Sequence, residues 1–369
     1  MPRVFIIILN WNGSKDTIEC LNSLEALDFR NFEIILVDNG STDDSISNFK
    51  IQIPNFKNKV ILIENKENLG FPAGNNVGIR CALNYGADYI LLLNSDTVVD
   101  SQFLKELVVA AKNNQQAGIL GPKIYFFDAP KTIWFAGGKF NWFQGSSHIG
   151  FGVRENHTNE DANLMRIKRE YTNVDFITGC AMLVKKEVFA ALGEPRPTGR
   201  AAPKWRASLS GAEREKIGLL DERFFLYYED TDFCLKAKKA GFKSVFVPRA
   251  KIWHKIPLKS LKTELSGAVD KIGAPPVYYY HHRNVLLLIQ NNGPWFIKTA
   301  KHFWVFWKLI KQGIKIIFFP EKRASSLAIA RGFFDYYRGH FGQIRNSKSE
   351  ISARRCYASN VADGRNKSQ

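Results

Sequence analysis

Cysteine is scarce in this sequence and shows no pairing pattern. Cys20, Cys81, Cys180, Cys234 and Cys356 lie far apart, with no C-x-x-C spacing. An odd, scattered set argues against a disulfide framework and for a reducing compartment. Long apolar runs are also missing: no uncharged stretch approaches the ~20 residues of a membrane-spanning helix. The apolar segment Val4–Leu9 is shorter than the ~7–15 residues of a signal-peptide core. It runs into Asn10-Trp11-Asn12-Gly13, so a buried first strand is expected instead. Acidic residues thin out toward the end: residues 251–369 hold 6 Asp+Glu against 21 Lys+Arg, whereas residues 1–250 hold 29 against 31. Most of the net charge of +17 therefore sits in the last third. That asymmetry fits an appendage meeting an anionic surface, either a membrane or a nucleic acid.

What is present is globular. With 369 residues, 45% of them hydrophobic and 24% charged, the chain suits one large domain plus an appendage. The first hundred residues alternate strands and helices. Strands are expected at Val4–Leu9, Phe32–Val37, Val60–Glu64 and Tyr89–Leu93, with helices up to about Leu27, from about Thr42, and over Gly74–Tyr85. This rhythm predicts an α/β fold with a doubly wound, mostly parallel sheet. The strands end in polar clusters: Asn10, then Asp38-Asn39-Gly40-Ser41, then Asn94-Ser95-Asp96. Such residues are ordinary turn formers. Ligands of open α/β sheets nevertheless bind at the carboxyl ends of strands, and Asn10, Asp38 and Asp96 would share that rim.

The middle section is less regular. Gly137-Gly138 and Gly145–Gly152 predict loops and hairpins, and Phe176–Val184 reads as a strand with Gly179 inside it, a mark of close backbone approach to a ligand. A short helix is expected over Lys185–Leu192. Another runs from Glu229-Asp230-Thr231-Asp232 to about Ala240, followed by a strand at Ser244–Val247 with Trp253-His254 beyond it. The acids at that helix start suit either N-terminal capping or catalysis. In Trp295–Phe319, Lys298, Lys301, Lys308, Lys311 and Lys315 fall within roughly 140° of a helical wheel. Phe296, Phe303, Phe306, Trp307, Ile310, Ile314 and Ile317 take the opposite arc. The pattern fits a helix lying in a membrane interface, or one whose aromatic face packs on the main domain.

Moving a sugar from a nucleotide donor needs groups that this rim could supply. Asp38 can hold a base or ribose, and the Asn68–Phe71 loop with Asn75-Asn76 can touch the nucleotide. Asp96 is the leading ligand for Mg²⁺ or Mn²⁺, which prefer carboxylate oxygen. A histidine beside a tryptophan, like His254, is by itself more often packed than ligating.

Several motifs occur in order. They are Ile8-Leu9-Asn10-Trp11-Asn12-Gly13, Val37-Asp38-Asn39-Gly40-Ser41-Thr42-Asp43, Asn68-Leu69-Gly70-Phe71 through Asn75-Asn76-Val77-Gly78, and Leu92-Leu93-Asn94-Ser95-Asp96. Thr178-Gly179-Cys180-Ala181, Tyr228-Glu229-Asp230-Thr231-Asp232 and Trp253-His254 complete the set. Together they resemble family 2 glycosyltransferases of the bacterial rhamnosyltransferase-like branch, which builds cell-surface polysaccharides. The resemblance implies a GT-A fold and inversion at the anomeric carbon. It implies Asp230 as general base with Glu229 beside it, and Asp96 and His254 on a divalent cation. Asn10, Asp38, Asn39, Asn68, Gly70, Asn75, Asn94 and Ser95 would line the nucleotide-sugar site, and Gly179 and Trp253 the acceptor wall. It also implies a dTDP- or UDP-linked donor sugar and a lipid-linked glycan acceptor. With the basic amphipathic helix, this places the enzyme on the inner face of the cell membrane, in the cytoplasm.

Two features depart from the family pattern. Asn94 stands where the metal motif has its first Asp, which gives His254 more weight. Residues 194–218, with Pro195, Arg196, Pro197, Arg200, Pro203, Lys204 and Arg206, form an apparent insertion. It is either a tolerated surface loop or a lid for an anionic acceptor. The expected organisation is a catalytic domain over 1–255, with a nucleotide-sugar half at about 1–100 and an acceptor half at about 101–255. A helical, membrane-associating region follows over 256–342, then a polar tail over 343–369 expected to be disordered. Among rivals, a sugar nucleotidyltransferase would carry a Gly-rich basic loop after the first strand, and Asn10-Trp11-Asn12-Gly13 is not one. No nucleic-acid partner is expected, because the basic residues line an amphipathic helix and not a recognition motif. A catalytically inactive scaffold would not be expected to keep Asp96, Asp230 and His254.

Overall fold

The computed structural model describes residues 1–155, 171–193, 218–256 and 275–344. Among these the chain divides into two compact units. The first takes Met1–Glu222 and Glu229–Lys255; the second takes Arg223–Tyr228 and the residues from Ile256 onward. Most of the apparent insertion, the first part of the appendage and nearly all of the polar tail lie outside the described residues.

The first unit is built on one large sheet. Its parallel part comes from the opening residues: β1 (Val4–Asn10), β2 (Phe32–Asp38), β3 (Val60–Glu64) and β4 (Tyr89–Asn94), in the order β3-β2-β1-β4. The side chains of Val4–Ile8 are fully buried, as an aliphatic strand covered on both faces requires. Helices α1 (Ser14–Glu25), α2 (Ser45–Gln52) and α3 (Phe71–Asn84) connect these strands. The α3 helix opens with Pro72 in its first turn, where a missing N–H costs nothing. It lies so close to β1 that a Cβ on Gly78 would come within 2.6 Å of the Ile7 side chain.

Beyond β4 the sheet becomes mixed. The short β5 (Thr97–Val99) and α4 (Phe103–Asn113) lead to the fully buried β6 (Ala117–Phe126) and its hairpin partner β7 (Ala129–Phe135). A separate hairpin follows, β8 (Gly138–Asn141) with β9 (Gly145–His148), and then β10 (Thr172–Val174). Strand β11 (Ala181–Lys185) is antiparallel to both β4 and β6 and joins the two halves of the sheet. Helices α5 (Lys186–Leu192) and α6 (Glu229–Lys239) and strand β12 (Lys243–His254) finish the unit.

Two sequence expectations are corrected here. Gly179 is not inside a strand. Residues 178–181 form a turn in which the Thr178 carbonyl accepts from the Ala181 N–H at 3.3 Å, and β11 begins only at Ala181. Nor does the strand opening at Ser244 stop at Val247. It passes Pro248 and reaches His254, because a register shift between Val247 and Lys251 absorbs the missing donor. Trp253 and His254 are thus strand residues, paired with Val98 and Thr97.

The second unit holds α7 (Pro275–Asn292), α8 (Trp295–Phe318) and α9 (Arg323–Tyr337). Tyr279 of α7 donates to Asp335 of α9 at 2.8 Å, and Tyr336 donates to Gln290 at 2.8 Å. Helix α8 turns Ile297, Lys301, Val305 and Gln312 inward. Lys301, expected on the lysine arc, is buried against the ring and hydroxyl of Tyr336. The aromatic face points outward: Phe303 is 68% exposed, Phe306 56%, Trp307 55% and Ile317 67%. Among the described residues, no helix is long and apolar enough to cross a membrane. The segment 223–228 is strained, with Phe225, Tyr227 and Tyr228 at φ 64°, 71° and 72°. This left-handed region costs bulky side chains of order 1–3 kcal/mol each.

Candidate active site

The parallel register brings the polar strand ends together. Asn10 pairs with Asp38 across β1 and β2, and Leu9 pairs with Asn94 across β1 and β4. The side chains of Asn10 and Asp38 are buried and bonded to each other, Nδ2 to Oδ1 at 2.8 Å. Asn10 also accepts from Thr17 at 2.8 Å. Asp38 accepts from the Ser41 backbone N–H at 2.9 Å and from its hydroxyl at 2.6 Å. Asp38 thus fixes the turn after β2 and stands at the rim.

Asn39 ties that turn to the loop before α3. Its amide donates to Asn68 Oδ1 at 3.0 Å and to the Gly70 carbonyl at 3.2 Å, and its oxygen accepts from Asn65 and from the Leu69 N–H. Gly70 has φ 84° and starts the helix; Asn75 bonds back to the Phe71 carbonyl at 2.9 Å. Beside β4, Asn94 takes a bond from its own N–H to the Cys180 carbonyl at 2.8 Å. Ser95 and Asp96 form the tight turn between β4 and β5.

Asp96 and His254 meet across that turn. Asp96 Oδ1 lies 3.0 Å from His254 Nε2, and the Lys255 N–H donates to the Asp96 carbonyl at 3.0 Å. Burial opposes charge on both side chains, but each charge outweighs that for the other. His254 is held protonated well above the usual imidazole range, and Asp96 stays below the usual carboxylate range. His254 is buried, while the Asp96 side chain is 30% exposed at the rim. Sequence reasoning missed what covers the ring: Trp134 of β7 packs edge-on against His254 at 4.8 Å. Lys255 was also missed; it bonds Asp16 and Glu19 of α1, each at 2.7 Å. Only the folded sheet brings these elements to His254.

A divalent cation can be tested against this pair. Asp96 and His254 set a carboxylate oxygen and an imidazole nitrogen side by side at the rim, and both are donor types that Mg²⁺ or Mn²⁺ can take. Two protein ligands suit an ion that takes its remaining ligands from phosphate and water. Among the described residues, no group of three or more His, Cys, Asp or Glu side chains gathers to hold a metal by itself. The residues fit a substrate-shared ion, and His254 must shed its proton to bind one.

The acids of α6 lie at its first turn. The Gly179 N–H donates to Asp230 Oδ2 at 3.0 Å, and the Thr231 N–H donates to Oδ1 at 2.6 Å. Burial pushes the Asp230 carboxyl upward, against these bonds. Glu229 is raised further, by burial first and then by the charge of Asp230. One Glu229 oxygen has no hydrogen-bond partner among the described residues. Asp232 is bridged to Lys236 at 2.5 Å and serves the helix. Trp253 is not brought to this site. It alternates with His254 along β12, stacks on Tyr125 at 6.1 Å and donates to the Pro130 carbonyl at 3.2 Å.

Glu229 allows a stability prediction. Its folded carboxyl titrates above the unfolded one, near 4.3. Its contribution is therefore complete below that value and is lost as pH rises through the raised folded value. Glu229→Gln removes that loss. The melting-temperature gain of the variant over the parent should be larger at pH 8 than at pH 5; a gain independent of pH refutes the assignment.

With this geometry in hand, the family description Glycosyl transferase family 2 matches residues 5–193. The chain belongs to that family. Its mixed α/β sheet has the GT-A fold, and a helical C-terminal region is also present. The chain is 25% identical over 260 residues to dTDP-rhamnosyl transferase RfbF of Shigella flexneri, covering 70% of this chain and 71% of that protein. It is 25% identical over 245 residues to an N-acetylglucosaminyl-diphospho-decaprenol L-rhamnosyltransferase of Mycobacterium tuberculosis, covering 63% and 70%. An uncharacterized Sinorhizobium fredii protein is 25% identical over 264 residues; these are 69% of this chain but 24% of that relative. The family 2 match ends before α6 and β12, so Asp230 and His254 lie beyond it.

Proposed function

We propose that this family 2 glycosyltransferase transfers a sugar, with inversion, from a nucleoside-diphosphate donor to a hydroxyl of a lipid-linked, cell-surface glycan. The observation that carries this reading is one rim holding a buried Asn10–Asp38 pair, an Asp96–His254 pair and a half-buried Asp230. The rhamnosyltransferase names among the relatives favour dTDP-rhamnose as donor, with UDP-linked sugars second, and a polyprenyl-diphosphate glycan as acceptor.

In this reading Asp38, Asn39 and the Asn68–Gly70 loop shape the nucleotide pocket. Asp96 and His254 would hold Mg²⁺ or Mn²⁺, which would supply positive charge for the diphosphate. Asp230 accepts the acceptor's proton. The freed oxygen bonds to the anomeric carbon, the carbon–phosphate-oxygen bond breaks, and its electron pair leaves with the nucleoside diphosphate. Attack from the face opposite that leaving group inverts the carbon. The raised Asp230 carboxyl makes it a stronger base than an exposed aspartate. The exposed aromatic face of α8 seats the enzyme on an anionic membrane, on the cytoplasmic side where its free cysteines stay reduced.

Thermal denaturation with dTDP, UDP or GDP, each with and without Mn²⁺ or Mg²⁺, tests the donor site. A nucleotide at 100 times its dissociation constant adds about 2.7 kcal/mol. Stabilisation by one nucleotide that needs metal and vanishes in Asp96→Ala is expected. No shift with any nucleotide would sink the reading and favour an inactive scaffold.

A further inference from the structure

The strained segment before α6 has no role in the reading above, yet a large part of α7 is committed to it. Asn284 is fully buried. Its side-chain amide donates to three carbonyls: Phe224 at 2.9 Å, Leu226 at 2.7 Å and Tyr227 at 3.0 Å. The Asn284 oxygen accepts from the Arg283 Nε at 2.9 Å, so the two neighbours act as one unit. Arg283 is also fully buried. Its guanidinium donates to the carbonyls of Arg223 at 3.0 Å, Phe224 at 2.7 Å and Gly342 at 2.6 Å. The rings are clamped as well: Phe225 stacks on Tyr280 at 5.3 Å, and Tyr227 lies 4.5 Å from His281.

A buried Arg–Asn pair facing main-chain carbonyls explains how three aromatic residues stay near φ 70°. The carbonyls of 223, 224, 226 and 227 turn toward α7, and buried carbonyls need donors. Asn284 answers three of them with one amide group. Without it, the segment would relax toward the extended or right-handed regions that Phe and Tyr prefer. The chain runs from Tyr228 directly into Glu229 and Asp230, so the backbone held by Asn284 is covalently continuous with the first turn of α6.

We propose that Asn284 is a positioning residue for Asp230: it acts through the backbone of 224–228 and does not touch the substrate. This rests on the reading of Asp230 as the base. A pure packing role predicts lost stability with activity following the folded fraction. A positioning role predicts a loss of turnover that depends on the Asp230 carboxylate.

The test is a double-mutant cycle on the full chain, with Asn284→Ala and Asp230→Asn made singly and together. The readouts are dTDP released from dTDP-rhamnose in the presence of N-acetylglucosaminyl-diphospho-polyprenol, and thermal stabilisation by dTDP with Mn²⁺. Asn284→Ala should lower kcat about 10- to 100-fold, with KM for the donor and the nucleotide-induced shift unchanged. In the Asp230→Asn background the same change should cost less than about twofold. Asn284→Ser, which keeps one donor, should fall between the parent and Asn284→Ala and provides the measurement if the alanine variant does not fold. Equal losses in both backgrounds, or a KM rise with unchanged kcat, would overturn the proposal. Full turnover in Asp230→Asn alone would instead remove the base reading, a result separable from any outcome at Asn284.

Discussion

Asp230→Asn should lower sugar transfer by roughly 10²–10⁴-fold, the usual worth of a positioned general base, while leaving nucleotide binding intact. The substitution is nearly isosteric. The two N–H groups that hold the carboxylate bond to different oxygens, Gly179 to Oδ2 at 3.0 Å and Thr231 to Oδ1 at 2.6 Å, so an asparagine oxygen keeps only one of the two bonds. The other bond and the ability to take a proton are lost. The pH profile adds a second, independent readout. Burial raises the Asp230 carboxyl above its ordinary value. The parent's kcat should therefore fall on the acid side at a pH above the ordinary aspartate range, as the base becomes protonated. The variant's residual rate should lack that limb. An acid limb that survives in Asp230→Asn with unchanged midpoint would assign it to another group, and an unaffected kcat would remove Asp230 from the chemistry. Glu229 lies beside it but has an oxygen with no partner among the described residues and is raised further. It is poorly suited to be the ionised base.

Much of the rim was legible because strands announce their ends. Asn10, Asp38 and Asn94 close aliphatic runs of similar length. In a parallel sheet with neighbouring strands in register, those ends must lie side by side. The local sequence at Gly179 was misleading: β-branched and aliphatic neighbours outweighed the Thr178 turn that directs the Gly179 N–H at Asp230. The strand expected over Ser244–Val247 does not end there, because a register shift lets β12 continue past Pro248 and places His254 beside Thr97. Trp134 over His254 and the Arg283–Asn284 clamp on 224–227 were not legible. Each joins segments far apart in sequence, and nothing in either segment's periodicity names its partner. The wheel of α8 separates the apolar arc from the lysines but does not show that Lys301 turns inward. Lys301 packs its stem and ammonium against Tyr336, a partner visible only once α9 is folded beside it.

That helix leads to the second large expected effect. Replacing Phe303, Phe306, Trp307 and Ile310 together by serine should weaken binding to vesicles of mixed phosphatidylglycerol and phosphatidylethanolamine by about 10³-fold. The magnitude follows from transfer energies: partial burial of each side chain in the interface contributes about 1 kcal/mol, so four contribute about 4 kcal/mol. All four side chains are more than 40% exposed. The folded chain therefore loses little by their removal, and the melting temperature should stay within the small change typical of surface substitutions. Charge adds the second component. Lys298, Lys308, Lys311 and Lys315 lie on the opposite arc of the same helix, one helix diameter (~10 Å) from the lipid, so each adds less than the ~1 kcal/mol of a lysine at the surface, and salt screens it. Parent binding should weaken with added salt and with purely zwitterionic lipid; the serine variant should keep the salt sensitivity but lose the depth of insertion. A variant that binds as well as the parent would show that the aromatic face does not meet lipid. If the parent instead forms a concentration-dependent dimer that the variant lacks, the same face belongs to self-association. An enzyme whose acceptor is carried on a lipid gains from the first outcome, because a surface-bound catalyst meets a surface-bound acceptor at a far higher effective concentration than in solution.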